Sequence, residues 1–197
     1  MTIDVFLALL AFAFVSTVTP GPNNFMLLAS GVNFGFFRTI PHMFGIAGGF
    51  CTLLLAVGFG LGALLAAYPP LHIALKAVGG AYLLYLAYKI ATSTTLSERR
   101  GGEHPLTFLQ AAAFQWVNPK AWVLAVTAMA IYTNPAAPFL SVVLVVVAFM
   151  LVNSPTVAVW AGFGVVLRKF LSDPARLRWF NRAMAVLLVL TLVPLLL

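Results

Sequence analysis

Six long apolar blocks constrain the fold of this chain more than any other feature, because a helix of about 20 apolar residues is enough to cross a bilayer. Hydrophobic residues make up 62% of the 197 positions and charged residues only 8%. A water-soluble fold of this composition would lack the polar residues needed to cover its surface. The sequence therefore predicts an all-α membrane protein with six transmembrane helices, in blocks 4–33, 39–66, 70–91, 106–132, 138–165 and 180–197.

The loops between these blocks differ sharply in charge. The loops at 66–70 and 133–138 contain no Lys or Arg. Since Lys and Arg concentrate in cytoplasmic loops, the asymmetry predicts that the three basic loops are cytoplasmic and that both termini lie outside. This distribution explains the net charge of +7 by membrane topology and argues against nucleic-acid binding. The basic loop residues are Arg38, Lys89, Arg99, Arg100, Arg168, Lys169, Arg176, Arg178 and Arg182.

The second half of the chain repeats the span pattern of the first when Pro20 is aligned with Pro119, an offset of 99 residues. Each half has three spans, an odd number, so the two halves enter the membrane from opposite faces. The pattern predicts two inverted three-helix repeats, residues 1–91 and 106–197, joined by a cytoplasmic loop at 92–105. Any six evenly spaced helices would give a similar offset, and this alternative stays open because the side chains of the halves are only weakly alike.

The first apolar block contains the segment TPGPNN, residues 19–24. Two prolines without N–H groups and a glycine interrupt a helix here. Such a break survives in hydrocarbon only where protein or a polar cavity satisfies the unpaired backbone groups. Asn23 and Asn24 are expected to cap the new helix start, whose N–H groups and positive dipole end attract a carboxylate. A proline kink stabilised by neighbouring helices is the alternative.

Two further blocks combine a proline with polar side chains, in QWVNPKAW at 115–122 and VNSPTV at 152–157. Lys120 falls near the middle of the fourth block, where a lysine costs about 2.5–3.5 kcal/mol and so indicates a functional site. Snorkelling of Lys120 toward an interface is the alternative. We predict that helices 1, 4 and 5 are broken around a shared substrate-binding cavity formed by Thr19, Pro20, Gly21, Pro22, Asn23, Asn24, Gln115, Asn118, Pro119, Lys120, Asn153 and Ser154.

The order of three motifs, TPGPNN in block 1, GGAYLLYLAYK in block 3 and NPKAW in block 4, resembles the LysE/RhtB family of amino-acid exporters. The resemblance covers nearly the whole chain. It implies a secondary transporter of the bacterial inner membrane that exports amino acids or their derivatives by proton-coupled antiport, with periplasmic termini. The motif positions of the family fall on residues 19–24 and 118–120 of this chain.

Proton coupling requires an ionisable group within the spans. Apart from Asp4 at the outer edge, the spans contain no Asp or Glu, which leaves Lys120, Lys76 and His42 as candidates. Lys76 lies near the end of its span and can reach the interface. We therefore predict that Lys120 is the main proton-coupling site and that His42 contributes less, with an ordinary interfacial histidine as the alternative for His42.

Other classes of protein are weighed against an exporter. A channel or a lipid-active membrane protein would also tolerate broken helices around a polar cavity. A membrane enzyme or redox carrier is disfavoured, because Cys51 is the only cysteine and the H-E-x-x-H and G-x-S-x-G motifs are missing. The sequence predicts no cofactor and no metal site, and its expected partners are a small zwitterionic amino acid, protons and membrane lipid. Three Gly-x-x-x-Gly pairs leave a homodimer open, although packing within one chain is the favoured interpretation of each pair.

Overall fold

The computed structural model describes residues 1–93 and 104–193. Every regular element within those ranges is helical, which confirms the all-α prediction. Most of the expected connecting loop, including Arg99 and Arg100, and the end of the sixth block lie outside the described residues. The elements in chain order are α1 (Ile3–Val18), α2 (Pro22–Phe34), α3 (Phe36–Ala56), a π-helical segment (Val57–Leu61), α4 (Gly62–Ala67), α5 (Pro69–Thr92), α6 (Phe108–Gln115), α7 (Pro119–Tyr132), α8 (Pro138–Arg168) and α9 (Pro174–Leu190).

Several of these helices have the length and composition of membrane spans. Three described stretches qualify alone, namely Phe36–Leu64, Ile73–Thr92 and Pro138–Arg168. The helices α1 and α2 qualify together, as a pair bent by 56° at the break between them. The helix α7 is apolar but shorter. These helices support a multi-pass membrane protein, with four spans at most by this criterion where the sequence predicts six.

The first apolar block is broken where the sequence predicts a break. The helix α1 ends at Val18 and α2 begins at Pro22. Proline suits the first position of a helix because the N–H that it lacks has no intrahelical partner there. Between the two helices Gly21 is fully extended, with φ −166° and ψ −178°. The chain thus changes direction inside a single apolar block.

The fourth block is also broken, as predicted. The helix α6 ends at Gln115 and α7 begins at Pro119. Asn118 caps the new helix, because its Oδ1 accepts a hydrogen bond of 3.1 Å from the Lys120 amide. The helices that follow the two breaks, α2 and α7, therefore start at Pro22 and Pro119. These two starts lie 97 residues apart, compared with the offset of 99 residues in the sequence alignment through Pro20.

The predicted break in the fifth block is wrong. The helix α8 runs unbroken for 31 residues, with Pro155 in its interior. A single interior proline removes only one backbone N–H from the helix. On the same turn the Thr156 hydroxyl donates to the Val152 carbonyl oxygen at 2.8 Å, which satisfies one neighbouring acceptor. Pro41 is tolerated inside α3 in the same way, without a break.

The second block is interrupted at a point that the sequence analysis did not identify. Phe59 and Gly60 have non-helical backbone angles inside Val57–Leu61, and φ of Gly60 is 112°. Glycine adopts this region without the strain that a side chain would cause. A Cβ at position 60 would meet nothing within 4 Å, so the backbone conformation, and not a lack of space, explains the glycine.

Small residues bring helices from the two halves of the chain into close contact. Gly31 of α2 faces Ala161 and Gly164 of α8, and a Cβ at position 31 would collide with the Ala161 carbonyl oxygen. Gly45 and Gly49 of α3 lie equally close to the backbone of α6. These contacts agree with the interpretation of the Gly-x-x-x-Gly pairs at 31 and 35 and at 45 and 49 as packing within one chain. The same glycines give no support to a homodimer.

The main apolar cluster surrounds Phe149 of α8, whose side chain is completely buried. The ring meets Phe12 and Phe50 in edge-to-face contacts, with centroids 6.1 and 5.4 Å away. Such contacts are favourable beyond the burial of their surface. The cluster joins α1, α3, α7 and α8. The continuous α8 therefore supports α1, which precedes the first break, and α7, which follows the second.

Candidate functional site

A small cavity of about 40 Å³ lies between the two helix breaks. It is lined by residues of α1, α2, α3, α6, α7 and α8, together with Gly21 in the first break and Asn118 in the second. Eight of the twelve predicted substrate-binding residues line it: Gly21, Pro22, Asn23, Asn24, Gln115, Asn118, Lys120 and Asn153. The remaining lining residues are Ser16, Thr17, Ile46, Phe50, Ala121 and Leu124.

Lys120 connects the second break to the first. Its Nζ donates a hydrogen bond of 2.5 Å to the backbone carbonyl oxygen of Thr19, just beyond the end of α1. A cation is favoured there because the C-terminus of a helix carries partial negative charge. The lysine side chain crosses directly over Gly21, where an added Cβ would lie 2.8 Å from Cδ and 3.1 Å from Nζ. Glycine at position 21 is therefore explained by the approach of Lys120 and not by its own extended backbone.

Asn24 does not cap α2, so the sequence expectation for this residue is wrong. Its Nδ2 instead turns back and donates to the carbonyl oxygens of Thr17 and Thr19, each at 3.0 Å. These acceptors belong to the end of α1, where the break removes their intrahelical partners. The side chain of Asn23 does not cap the helix either, and α2 begins without any side-chain cap. The amide groups at the start of α2 thus keep their capacity to bind an anion.

Asn23 and Gln115 join the two breaks through their side-chain amides. Nδ2 of Asn23 donates to Oε1 of Gln115 at 2.8 Å, and Nε2 of Gln115 donates to Oδ1 of Asn23 at 3.1 Å. Gln115 is completely buried and also donates to the Ala111 carbonyl oxygen at 3.0 Å. The start of α2 is therefore tied to the end of α6 by a reciprocal pair of hydrogen bonds.

Asn153 brings an unpaired donor from α8 to the cavity. Its side chain is buried, and Nδ2 has no hydrogen-bond partner in the part of the chain that the structure describes. Buried polar groups in proteins nearly always have a partner, and a group without one costs about 1–3 kcal/mol. Because Asn153 lines the cavity, its Nδ2 is available to a ligand that enters there.

The other predicted site residues lie outside the cavity lining. Thr19 contributes its carbonyl oxygen, while its side chain and that of Pro20 are exposed. Pro119 is half-buried at the start of α7. Ser154 is exposed and lies on a separate hollow of the α8 surface, so it does not join the predicted site. His42 lines a different cavity.

Sequence reasoning missed two hydroxyl residues of the cavity, Ser16 and Thr17. They lie in the last turn of α1, and the Thr17 hydroxyl donates to the Ala13 carbonyl oxygen at 2.7 Å. The signal was present in the polar run STVT that precedes the two prolines. Within residues 1–93 and 104–193 no group of three or more His, Cys, Asp or Glu side chains could hold a metal ion.

Interrupted apolar helices that face a polar cavity are a feature of membrane transporters, because irregular backbone at membrane depth is tolerated where it lines such a cavity. The sequence pattern of the LysE type translocator family matches residues 14–197. The chain belongs to this family of translocators.

Relatives with assigned functions include proteins named cysteine/O-acetylserine efflux protein. Those of Escherichia coli strain K12 and Shigella sonnei strain Ss046 are each 30% identical to this chain over 195 residues, which cover 98% of this chain and 96% of theirs. No solved structure matches the chain significantly. The family and these relatives identify the protein as a transporter for small molecules and not an enzyme.

Proposed function

We propose that this protein exports amino acids or amino-acid derivatives from the bacterial cytoplasm as a secondary transporter, by antiport with protons. One observation carries the proposal: the Lys120 ammonium lies between two helix breaks and is held by a backbone carbonyl oxygen, not by a carboxylate. A substrate carboxylate competes well for such a cation, since charge-assisted hydrogen bonds are the stronger kind. Cysteine and O-acetylserine are the first substrates to test, because they appear in the names of the relatives.

The polar groups around the cavity match the two charged ends of a zwitterion. The Lys120 ammonium, the uncapped start of α2 and Nδ2 of Asn153 are the proposed partners of the substrate carboxylate. Carbonyl oxygens at the end of α1 and the amide oxygens of Asn23 and Gln115 are the proposed partners of its ammonium. The described residues that line the cavity include no Asp or Glu to repel the carboxylate.

The cavity must widen before a substrate enters. Its volume of about 40 Å³ is little more than the roughly 30 Å³ that one water occupies in the liquid. In the proposed cycle the substrate carboxylate draws Lys120 away from Thr19, which removes a direct link between α7 and the end of α1. The two breaks are then free to move apart, and substrate binding is coupled to the opening of the site.

Lys120 is also the proposed site of proton coupling. A bound carboxylate favours the ammonium form of the lysine, and departure of the substrate removes that partner. We propose a lesser contribution from His42, which is buried in the described part of the spans, although it lines a separate cavity. The energy source is thus assigned to the same side chain that binds the substrate.

We further propose six spans of the inner membrane in two inverted repeats, residues 1–91 and 106–197. The segment 92–105 joins them on the cytoplasmic side, and both termini face the periplasm. The packing of the helices supports this arrangement. The first span packs on the fifth through α2 and α8, and the fourth packs on the second through α6 and α3. The third and sixth pair through α5 and α9. A two-fold axis that relates spans 1, 2 and 3 to spans 4, 5 and 6 converts the contact between spans 1 and 5 into the contact between spans 4 and 2. The same axis maps the contact between spans 3 and 6 onto itself.

The proposed function is tested by uptake of labelled cysteine and O-acetylserine into inverted membrane vesicles. We expect accumulation above the external concentration while a proton gradient is present, and its loss when a protonophore is added. A channel would allow equilibration but no accumulation in either condition. Vesicles without the protein are the control, and equal uptake by both vesicle types would contradict the proposal for these substrates.

A further inference from the structure

A second, larger cavity of about 230 Å³ lies next to the first. The helices α2 and α3 line both: Asn23 and Ile46 face the first cavity, whereas Ser30 and His42 face the second. Its volume equals that of roughly eight waters in the liquid, so it can hold a small amino acid in this conformation. The exposed lining residues, which mark its opening, are Lys89, Thr92 and His104.

His42 is the feature of this cavity that calls for a ligand. Its side chain is only 1% exposed, and neither ring nitrogen has a hydrogen-bond partner in the part of the chain that is described. A neutral imidazole has one N–H donor and one acceptor nitrogen. Burying both without partners destabilises the fold unless a bound molecule pairs with them. His42 lines this cavity, but both of its ring nitrogens are buried, so the ring must turn toward the cavity before it can pair with a molecule bound there.

Ser30 adds an acceptor to the same cavity. The Thr39 hydroxyl donates its single proton to the Gly35 carbonyl oxygen at 2.8 Å. With the Thr39 proton on the Gly35 carbonyl oxygen, Ser30 is the donor and Thr39 the acceptor in the 2.8 Å contact between the two hydroxyl groups. The lone pairs of Ser30 remain available to a cation. His42 and Ser30 thus offer a donor and an acceptor to the two ends of one zwitterion.

The charge of the described part of the cavity lining favours a carboxylate over a cation. Its described lining includes Lys89 and His104 and no Asp or Glu. Lys89 lies in one of the basic segments that the positive-inside rule assigns to the cytoplasm. The opening therefore faces the compartment from which an exporter takes its substrate.

A thin apolar layer separates the two cavities. His42, Ile46 and Phe50 recur every four residues along α3 and therefore share one face of the helix. Ile46 is 1% exposed and packs in one cluster with Leu27 of α2 and Ala111 of α6. Four residues of helix span about 6 Å, so roughly one turn lies between His42 and the first cavity.

We propose that the His42 cavity is a second substrate site, filled from the cytoplasm before the substrate passes Ile46 and reaches Lys120. The His42 N–H binds the carboxylate of a zwitterionic amino acid, and the Ser30 hydroxyl accepts from its ammonium. This inference rests on the proposed export function and on its orientation in the membrane.

The test compares transport kinetics from the two membrane faces, with labelled O-acetylserine in inverted and right-side-out vesicles. We expect His42→Ala to raise KM at the cytoplasmic face about tenfold or more, as expected for loss of a hydrogen bond to a charged group. The KM at the periplasmic face should change less than twofold. His42→Asn keeps an N–H donor and should recover part of the affinity. Phe44→Ala is the matched control, because Phe44 is exposed on the same helix.

A competition experiment tests the carboxylate directly. The primary amide of serine should compete at the cytoplasmic face at least about tenfold less well than serine, because the amide lacks the negative charge. In the His42→Ala variant this difference should become smaller, and the part that remains is the preference of the Lys120 site. Ser30→Ala should weaken competition by serine without reducing the preference for the carboxylate, since it removes only the acceptor.

Three results would overturn the second site. One is an unchanged cytoplasmic KM in folded His42→Ala, and another is an equal rise of KM at both faces, which would place His42 in the common site or in the support of the fold. The third is a serine preference that is as large in the variant as in the wild-type protein. Should His42→Ala not fold, the same comparisons apply to His42→Asn and Ser30→Ala. If the wild-type protein accumulates no substrate, the export function itself fails, which is a distinguishable outcome.

Discussion

The side chains of Asn23 and Gln115 exchange two hydrogen bonds, although the residues lie 92 positions apart in the chain. Each amide donates once and accepts once, so the pair satisfies itself without a charge. This neutral link can part during a transport cycle and expose amide groups to a substrate. Together with the contact from Lys120 to Thr19, it holds the two helix breaks against one another in the conformation described.

Lys120→Met should abolish gradient-driven export of cysteine and O-acetylserine while the protein still folds. Methionine fills a similar volume but supplies no cation for the substrate carboxylate and no group to release a proton. Lys76→Met is the matched control, since Lys76 is exposed on α5 and should tolerate the change. The measurement is initial uptake into inverted vesicles, with an expected loss of at least about tenfold. Full gradient-dependent export by the Lys120 variant would place the proton elsewhere, including on the substrate itself.

Gly21→Ala should impair transport although alanine adopts an extended backbone readily. The new Cβ would lie 2.8 Å from Cδ of Lys120, so the lysine must move away from the Thr19 carbonyl oxygen. We expect a reduced uptake rate with little loss of stability, because the end of the flexible lysine side chain can shift to avoid the new methyl group. Gly162→Ala in α8 is the control, because a Cβ there meets nothing within 4 Å. Normal transport by the Gly21 variant would show that the position of Lys120 is not critical.

Asn153→Ala and Ser154→Ala should differ although the residues are neighbours. Asn153 presents an unpaired buried donor to the cavity, whereas Ser154 is exposed on the surface of α8. We expect Asn153→Ala to raise KM several-fold with thermal stability equal to or above that of wild type, because the change removes an unsatisfied polar group. Ser154→Ala should leave both quantities unchanged. A drop in stability with unchanged KM would give Asn153 a purely structural role.

Gly79→Ala should destabilise the protein, whereas Gly80→Ala should not. A Cβ at position 79 would collide with the carbonyl oxygen of Val117, which lies in the second helix break. At position 80 the nearest atom is a Leu192 methyl carbon 3.9 Å away, an ordinary contact. Thermal unfolding in detergent should show a loss of about 1–3 kcal/mol for the first variant only. Equal stability of the two variants would mean that α5 does not support the break through Gly79.

Reporter fusions test the orientation that the basic loops predict. A reporter that is active only in the cytoplasm should be active when it is inserted in segment 92–105 and inactive at either terminus. A reporter that needs the periplasm should give the reverse pattern. Activity of the periplasmic reporter within 92–105 would invert the topology and the assignment of the second cavity to the cytoplasmic side.

The breaks in the first and fourth blocks could be predicted from the sequence because their causes are local. Two prolines flank Gly21, and Asn118 precedes Pro119 as a helix cap, so backbone chemistry alone determines both positions. The Ser-Pro pair at 154–155 has the same local signature, yet α8 continues through it. A single interior proline removes only one backbone N–H, and Pro41 inside α3 shows the same tolerance.

Most of the predicted site residues do line the cavity, but the hydrogen-bond partners of their side chains could not be predicted from the sequence. Polar residues beside helix breaks had to face protein or a polar space, and eight of the twelve do line one cavity. Asn24 was expected at a helix start and binds a helix end instead, because its side chain turns toward the end of α1. The cavity at His42 could not be anticipated at all, since it forms only where α2, α3, α5 and the segment before α6 meet.

The acceptor that holds Lys120 is part of the main chain, so it belongs to position 19 whatever side chain is present there. A comprehensive mutational scan should therefore find position 19 permissive, since nearly every amino acid offers the same carbonyl oxygen. Positions 21 and 120 should be restrictive in the same scan, because Gly21 leaves space for the lysine side chain and Lys120 donates to that oxygen. Evolutionary drift at residue 19 would then leave the contact intact, and a comparison of side chains alone would not reveal that this position matters to the protein.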